Sequence, residues 1–213
     1  EGRSYLMITN YSDLKSTVAD YLARTDLTSQ IPLFIQLAEN RLRRDLRIRQ
    51  MLKVVTTTTT TSDPTVAIPT DFLEMRDLHI EASPIHTIIY QNPSNFFRNA
   101  KAGTGTAGYP NNYTIMGSEF QFAPIPDSSY TLRMVYYAAP EYLSSTVSSN
   151  VFLANCPDLL LYASLGEAEP YLMNDARVQT WAALYDRGLN SLTISDDAGE
   201  QPSAPMVISV ATR

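Results

Sequence analysis

Six consecutive threonines, Thr56 to Thr61, follow Leu52-Lys53-Val54-Val55 and constrain this chain more than any other stretch of it. β-Branched side chains are stiff at χ1 and fit a pleated strand better than a helix. The run therefore reads as a strand entering a hairpin at Ser62-Asp63-Pro64, in preference to the alternative of a disordered threonine linker. That assignment divides the chain. Apolar residues before it recur with a helical period, the text after it is extended to about Tyr137, and helical text returns beyond Pro157.

On the N-terminal side, Leu14, Val18, Tyr21 and Leu22 share one face of a helix expected over Ser12 to Ala23, with Asn10 or Ser12 as cap. A second helix is expected from Pro32 to Gln50, its proline in the first turn and Leu33, Phe34, Leu37, Ala38, Leu42 and Leu46 on the buried stripe. Its arginines fall mostly off that stripe, toward solvent. Strands are expected at Val66–Pro69, Met75–Glu81, Ile85–Tyr90, Tyr113–Met116, Glu119–Phe122 and Tyr130–Tyr137, with a tight turn at Gly117-Ser118. A short helix at Ser94–Ala100 precedes an exposed Gly/Ala/Thr-rich loop.

In the C-terminal part, Asp158 to Leu172 is apolar on most faces and should be a central helix. A last helix should run from Asp175 to about Leu192, with Val178, Trp181, Ala182, Tyr185, Leu189 and Leu192 at helical spacing. Ser195 to Pro202 reads as an acidic linker, and Met206-Val207-Ile208-Ser209-Val210 beyond it as an extended apolar tail without an obvious intrachain partner. The fold class is α+β. Terminal helices, 7–51 and 141–194, form a helical bundle around an inserted antiparallel β-rich domain, 52–140, and an extended C-terminal tail covers 195–213.

Charge qualifies this picture. The net charge is −6, which disfavours a protein that grips phosphate backbones. Residues 39–53 nevertheless hold Arg41, Arg43, Arg44, Arg47, Arg49 and Lys53 against Glu39 and Asp45, a local balance of +4 that leaves −10 elsewhere. Five arginines within nine positions repel one another. The bland outcome is a solvated face with internal pairs such as Arg41–Asp45; the functional one is an acidic patch on a protein partner. The single cysteine, Cys156, excludes an internal disulfide and fits assembly in a reducing cytoplasm. No stretch is long and apolar enough for a membrane span, and the first residues lack the pattern of a signal peptide. Met7 reads as a native start, with residues 1–6 left by cloning or by natural processing.

The order of segments resembles the bacteriophage head-to-tail adaptor family, the tail-tube adaptors of short-tailed phages. The resemblance is carried by Tyr11-Ser12-Asp13-Leu14 with Val18 to Leu22, by Phe34 to Arg47, and by Ile68-Pro69-Thr70-Asp71-Phe72-Leu73-Glu74. It continues through Pro110 to Tyr113, Pro124-Ile125-Pro126, Tyr130 to Tyr137, Asn150 to Tyr162 and Val178 to Leu192. It implies a structural virion protein without catalysis or cofactor: a ring of twelve copies beneath the portal, a tail nozzle below it, tail fibres near the junction and a channel for the genome. It also implies that the C-terminal extension climbs along the portal. The candidate protein-interface residues are then Arg41, Arg43, Arg44, Arg47 and Arg49, with Met206, Val207, Ile208 and Val210 of the tail.

Catalytic motifs are weak beside this. His79 and His86 are the only histidines and lie in strand text, without a zinc-binding pattern. No nucleophile elbow surrounds a serine, and Gly103-Thr104-Gly105-Thr106-Ala107-Gly108 lacks the strand and helix that a dinucleotide site requires. Glu167 and Glu169 point to different sides of one helix, and Asp196 and Asp197 fall in the expected linker, so neither pair suits glycoside cleavage. The alternative function is a receptor- or glycan-binding module in which Tyr109, Tyr113, Tyr136 and Tyr137 form an aromatic platform.

Overall fold

A computed structural model describes residues 7–24, 26–99, 107–172 and 175–200. In chain order the elements are α1 (Tyr11–Leu22), α2 (Ile31–Asp45), β1 (Leu52–Thr58), β2 (Thr65–Ala67), β3 (Phe72–Ile80), β4 (His86–Thr87) and β5 (Ile89–Tyr90). There follow α3 (Pro93–Asn99), β6 (Asn112–Met116), β7 (Glu119–Ala123), β8 (Thr131–Ala138), α4 (Val151–Asn155), α5 (Pro157–Tyr171) and α6 (Asp175–Glu200). The fold is α+β. Two compact units result, one from the residues up to Gln50 together with those from Pro140 onward, the other Met51–Ala139.

The helical unit is organised around α5, which packs against α1, α2, α4 and α6. Leu159, Leu160, Leu161, Ala163, Leu165 and Ala168 are buried on it, as expected of a helix apolar on most faces. Asn10 caps α1 by accepting the Asp13 N–H at 3.0 Å, and Ala23 ends it in a left-handed conformation at φ 52°.

Four sequence expectations need correction here. Helix α2 stops at Asp45, not Gln50, because Leu46 turns extended at φ −111°, ψ 132°. Leu46, Ile48 and Met51 are still buried, but from an extended segment and a single 3₁₀ turn at Arg49–Met51. Leu33 and Leu37 are not on the buried stripe: they are 52% and 39% exposed, and Ile35 and Glu39 are buried instead. The apolar face of α2 is broader than one side of the bundle can cover. The acidic linker at Ser195 is not a linker as far as the structure describes it, since α6 continues to Glu200 and buries Asp196. Finally, α4 occupies residues where no helix was expected. It is short, and its cap, Asn150 accepting the Leu153 N–H at 3.1 Å, is its main local signal.

The β unit has two four-stranded sheets, ordered β1-β8-β3-β4 and β2-β7-β6-β5. Leu78, Ile80, Leu132, Met134 and Tyr136 from the first meet Tyr113, Phe120 and Phe122 from the second in one core. All pairings are antiparallel except β5 with β6, which is parallel. The first half of the threonine tract, Thr56–Thr58, is strand, as β-branched residues favour, and Thr59–Thr61 lead out of it: Leu52–Thr58 pairs with Tyr137–Thr131. Just beyond it, buried Thr59 accepts the Tyr130 N–H at 2.8 Å through Oγ1. Gly117 holds φ +61° at the first position of the two-residue turn between Met116 and Glu119, where a side chain would be strained. Ile85–Tyr90 does not form one strand. Its two halves join different sheets, with buried Ile88 between them.

Candidate protein interface

Because α2 ends early, its arginines leave the helix at different angles and meet different partners. Arg41 lays its guanidinium over the Tyr185 ring at 4.1 Å and stands 3.6 Å from Asp45. The Tyr185 hydroxyl donates to the same carboxylate at 2.9 Å. Burial pushes that phenol well above its usual range; Asp45 adds to the shift and Arg41 opposes it. Arg43 stacks over Tyr142 at 3.5 Å and donates to the Pro140 carbonyl. Arg47 donates to the carbonyls of Arg43 at 2.8 Å and Leu46 at 2.7 Å, groups that the ended helix leaves open.

Arg49 closes the set. Its Nε donates to Asp196 at 2.9 Å, its backbone N–H to the same carboxylate at 3.1 Å, and its Nη1 to the Gly199 carbonyl at 3.1 Å. A Cβ on Gly199 would lie 2.4 Å from the Arg49 guanidinium, so the bare backbone is what lets the cation reach the end of α6. A cation there also suits the negative end of the helix dipole. Arg44, exposed as Arg49 also is, is the one of the five with no hydrogen bond, ion pair or ring contact to the described residues. Arg41 pairs with Asp45 inside the segment, and two charges of the local +4 are met by acids outside it, Arg49 by Asp196 and Lys53 by Asp71. Met206, Val207, Ile208 and Val210 lie outside the described residues.

A second polar cluster was not legible in sequence. Glu39, 1% exposed, accepts the Leu143 N–H at 3.0 Å and the Asn150 side-chain amide at 2.6 Å. The next residue, Asn40, accepts the Tyr142 hydroxyl at 2.5 Å. Glu39, Asn40 and Arg43 together clasp the segment Pro140–Asn150 to α2. Burial raises the Glu39 carboxyl above its usual range, against the opposing pull of Leu143, Asn150 and Arg43. Glutamate within a basic run gives no hint of this; only the return of a distant backbone N–H makes the position internal.

The aromatic platform is overturned. Tyr113, Tyr136 and Tyr137 are 5%, 0% and 7% exposed, and Tyr109 packs edge-on between His86 and Tyr130. Alternation sends Tyr113 and Tyr136 into the core between the sheets, with Tyr109 packed against it: the Tyr136 hydroxyl donates to Asp71 at 2.8 Å and burial lifts the Tyr113 phenol to about 12.

An open groove of ≈ 460 Å³ lies between the start of α5 and the second half of α6, lined among others by Cys156, Asp158, Tyr162, Arg187 and Ser195. Burial, then Asp158, pushes the Cys156 thiol up to about 12, so it stays protonated and a poor nucleophile. Glu169 is fully buried and takes the Trp181 indole N–H at 3.0 Å and Arg177 at 3.1 Å, far from the rigid opposed pair that glycoside cleavage needs. Among the described residues no group of three His, Cys, Asp or Glu is placed to hold a metal, and no helix is long and apolar enough to cross a membrane.

The chain belongs to the SU10 adaptor protein family, whose family model matches residues 9–208. It is a bacteriophage adaptor, a structural component of the virion whose partners are other head and tail proteins. No curated protein matches the chain.

Proposed function

We propose that this adaptor assembles as a ring of twelve copies that joins the portal to the tail nozzle and gives the genome a channel. The observation that carries the proposal is the family match over residues 9–208, which spans both compact units. The ring acts through complementary surfaces and carries out no catalysis, needs no cofactor and binds DNA without sequence preference. Some of the surplus acid lines the channel, where it lets DNA slide past; tail fibres attach near the junction. Assembly takes place in the host cytoplasm, and the finished ring sits beneath the portal vertex.

The basic segment meets an acidic patch on the neighbouring copy or the portal. Arg44 is the residue best placed for this, because Arg41, Arg43, Arg47 and Arg49 already have intrachain partners. The tail residues Met206, Val207, Ile208 and Val210 dock on the portal.

The test is to mix the chain with the portal of the same phage and image the product by electron microscopy. A ring of adaptor beneath the portal is expected. A chain that stays monomeric with portal present overturns the proposal. Deleting residues 203–213 should weaken portal attachment while Trp181 fluorescence stays native; unchanged attachment would remove the tail from the proposal.

A further inference from the structure

The face of α2 turned away from its bundle is unusual for a helix on a water-facing surface. Leu33 and Leu37 are 52% and 39% exposed, and Arg44 stands in line with them. At 3.6 residues per turn these three side chains fall within about 40° of one another. They make a narrow stripe that is apolar at its start and cationic at its end. Tyr171, 57% exposed, packs tilted against Phe34 with ring centroids 5.4 Å apart and adds apolar surface beside the start of the stripe.

Helix α6 carries a stripe of the opposite sign. Asp186, Asn190, Ile194 and Asp197 are all exposed, Ile194 at 70%, and they fall within about 80° on the outer side of the helix. The opposite side of α6 is the buried one, with Tyr185 and Asp196. Neither Asp186 nor Asp197 has a hydrogen bond or ion pair to the described residues. Arg187, the cation next to Asp186, lines the groove against α5. The stripe from Leu33 to Arg44 and that from Asp186 to Asp197 cover the same number of positions, roughly 16 Å of helix each at 1.5 Å per residue.

A ring is closed by head-to-tail contacts, in which two different surfaces of one chain must match each other. Both surfaces here belong to the helical unit, both expose large apolar groups, and their charges are complementary. Resting on the ring reading, we infer that the outer stripe of α2 in one copy packs on the outer stripe of α6 in the next. Leu33 and Leu37 are covered by the neighbour, and Arg44 pairs with its Asp186 or Asp197. This accounts for two leucines left in water and for the one arginine of the basic segment with no hydrogen bond, ion pair or ring contact to the described residues. It also assigns Arg44 to the neighbouring copy, leaving the portal to other residues.

The experiment uses the full chain with the portal of the same phage, scoring rings by electron microscopy and bound copies by native mass spectrometry. The variants are Leu33→Asp/Leu37→Asp, Arg44→Glu, Asp186→Arg, Asp197→Arg, and Arg44→Glu combined with each aspartate reversal. All these positions are exposed, so circular dichroism and Trp181 fluorescence should match the parent chain. The leucine variant and Arg44→Glu should cut ring yield by about tenfold or more, as charge reversal at a matched contact does. Arg44→Glu should regain most of that yield with one of the two aspartate reversals.

Rings formed at parental yield by the leucine variant, or no rescue by either reversal, would overturn the inference and leave the ring itself standing. Rings that form normally from Arg44→Glu but no longer hold the portal would also overturn it, by giving Arg44 to the portal. Failure of the parent chain to form rings on the portal removes the ring reading and the inference with it.

Discussion

Replacing Glu39 by alanine tests the clasp that ties Pro140–Asn150 to α2. The carboxylate accepts the Leu143 N–H at 3.0 Å and 3.3 Å through its two oxygens and the Asn150 amide at 2.6 Å. Alanine leaves the Leu143 N–H without its acceptor, at a cost of about 1–3 kcal/mol for a buried donor. Asn150 keeps one donor bond, to the Glu141 carbonyl at 2.8 Å, so its loss is partial. Its other role, capping α4, is worth about 1 kcal/mol and depends on the side chain staying in place. Relief from burying a carboxylate offsets part of this. The net expectation is about 1–3 kcal/mol of destabilisation for Glu39→Ala.

Glu39→Gln retains an acceptor oxygen and should cost about 1 kcal/mol or less at pH 7. The pH dependence carries a sign. Because the folded pKa is raised above 4.5, the native chain holds a proton that the unfolded chain has released. That contribution is complete below the ordinary carboxylate range and is lost as pH rises through the folded pKa. Glutamine mimics the protonated form at every pH, so its stability relative to the parent should improve as pH increases from about 4 to 7. Urea unfolding followed by Trp181 emission measures the helical unit that contains both residues, since Trp181 is the only tryptophan. Equal losses for alanine and glutamine, or an alanine loss below about 0.5 kcal/mol, would refute the clasp as a source of stability.

Two glycines should respond in opposite directions to alanine. A Cβ at Gly188 would meet Leu159 Cδ2 at 2.7 Å, and Leu159 is buried, so overpacking of about 1–3 kcal/mol outweighs the roughly 1 kcal/mol gained in helix propensity. At Gly166 the nearest atom is 3.9 Å away, and alanine should stabilise by up to about 1 kcal/mol; thermal unfolding of both variants checks the pair. Asp196→Ala removes the acceptor of the Arg49 backbone and side chain and should cost about 1–3 kcal/mol, discounted for the half-exposed guanidinium. It should also speed amide hydrogen exchange in the last two turns of α6, and unchanged protection there would count against Arg49 as their anchor.

The sequence determined the kinds of element and their order, because those depend on local periodicity. The β-branched stretch Val54–Thr58 favours the extended β1; Asn10 caps α1 with a side chain three residues from its donor; a helix apolar on most faces, α5, has to be central. The same local logic recognised the family across most of the chain. What it did not determine were outcomes set by distant partners. The burial of Glu39 depends on a backbone N–H from residue 143, and the extension of α6 through Ser195–Glu200 depends on Arg49. Tyr109, Tyr113 and Tyr136 of the expected platform were claimed by sheet packing, which alternation alone does not rank above exposure. The arginine segment shows both sides most plainly. Its charge and the local Arg41–Asp45 pair were visible in the text, but only tertiary structure decided that Arg43 reaches Pro140, that Arg49 reaches Asp196, and that Arg44 meets no such partner among the described residues. Charge belongs to composition, whereas its neutralisation belongs to geometry: a Coulomb or hydrogen-bonding partner acts over a few ångströms, whatever its distance along the chain.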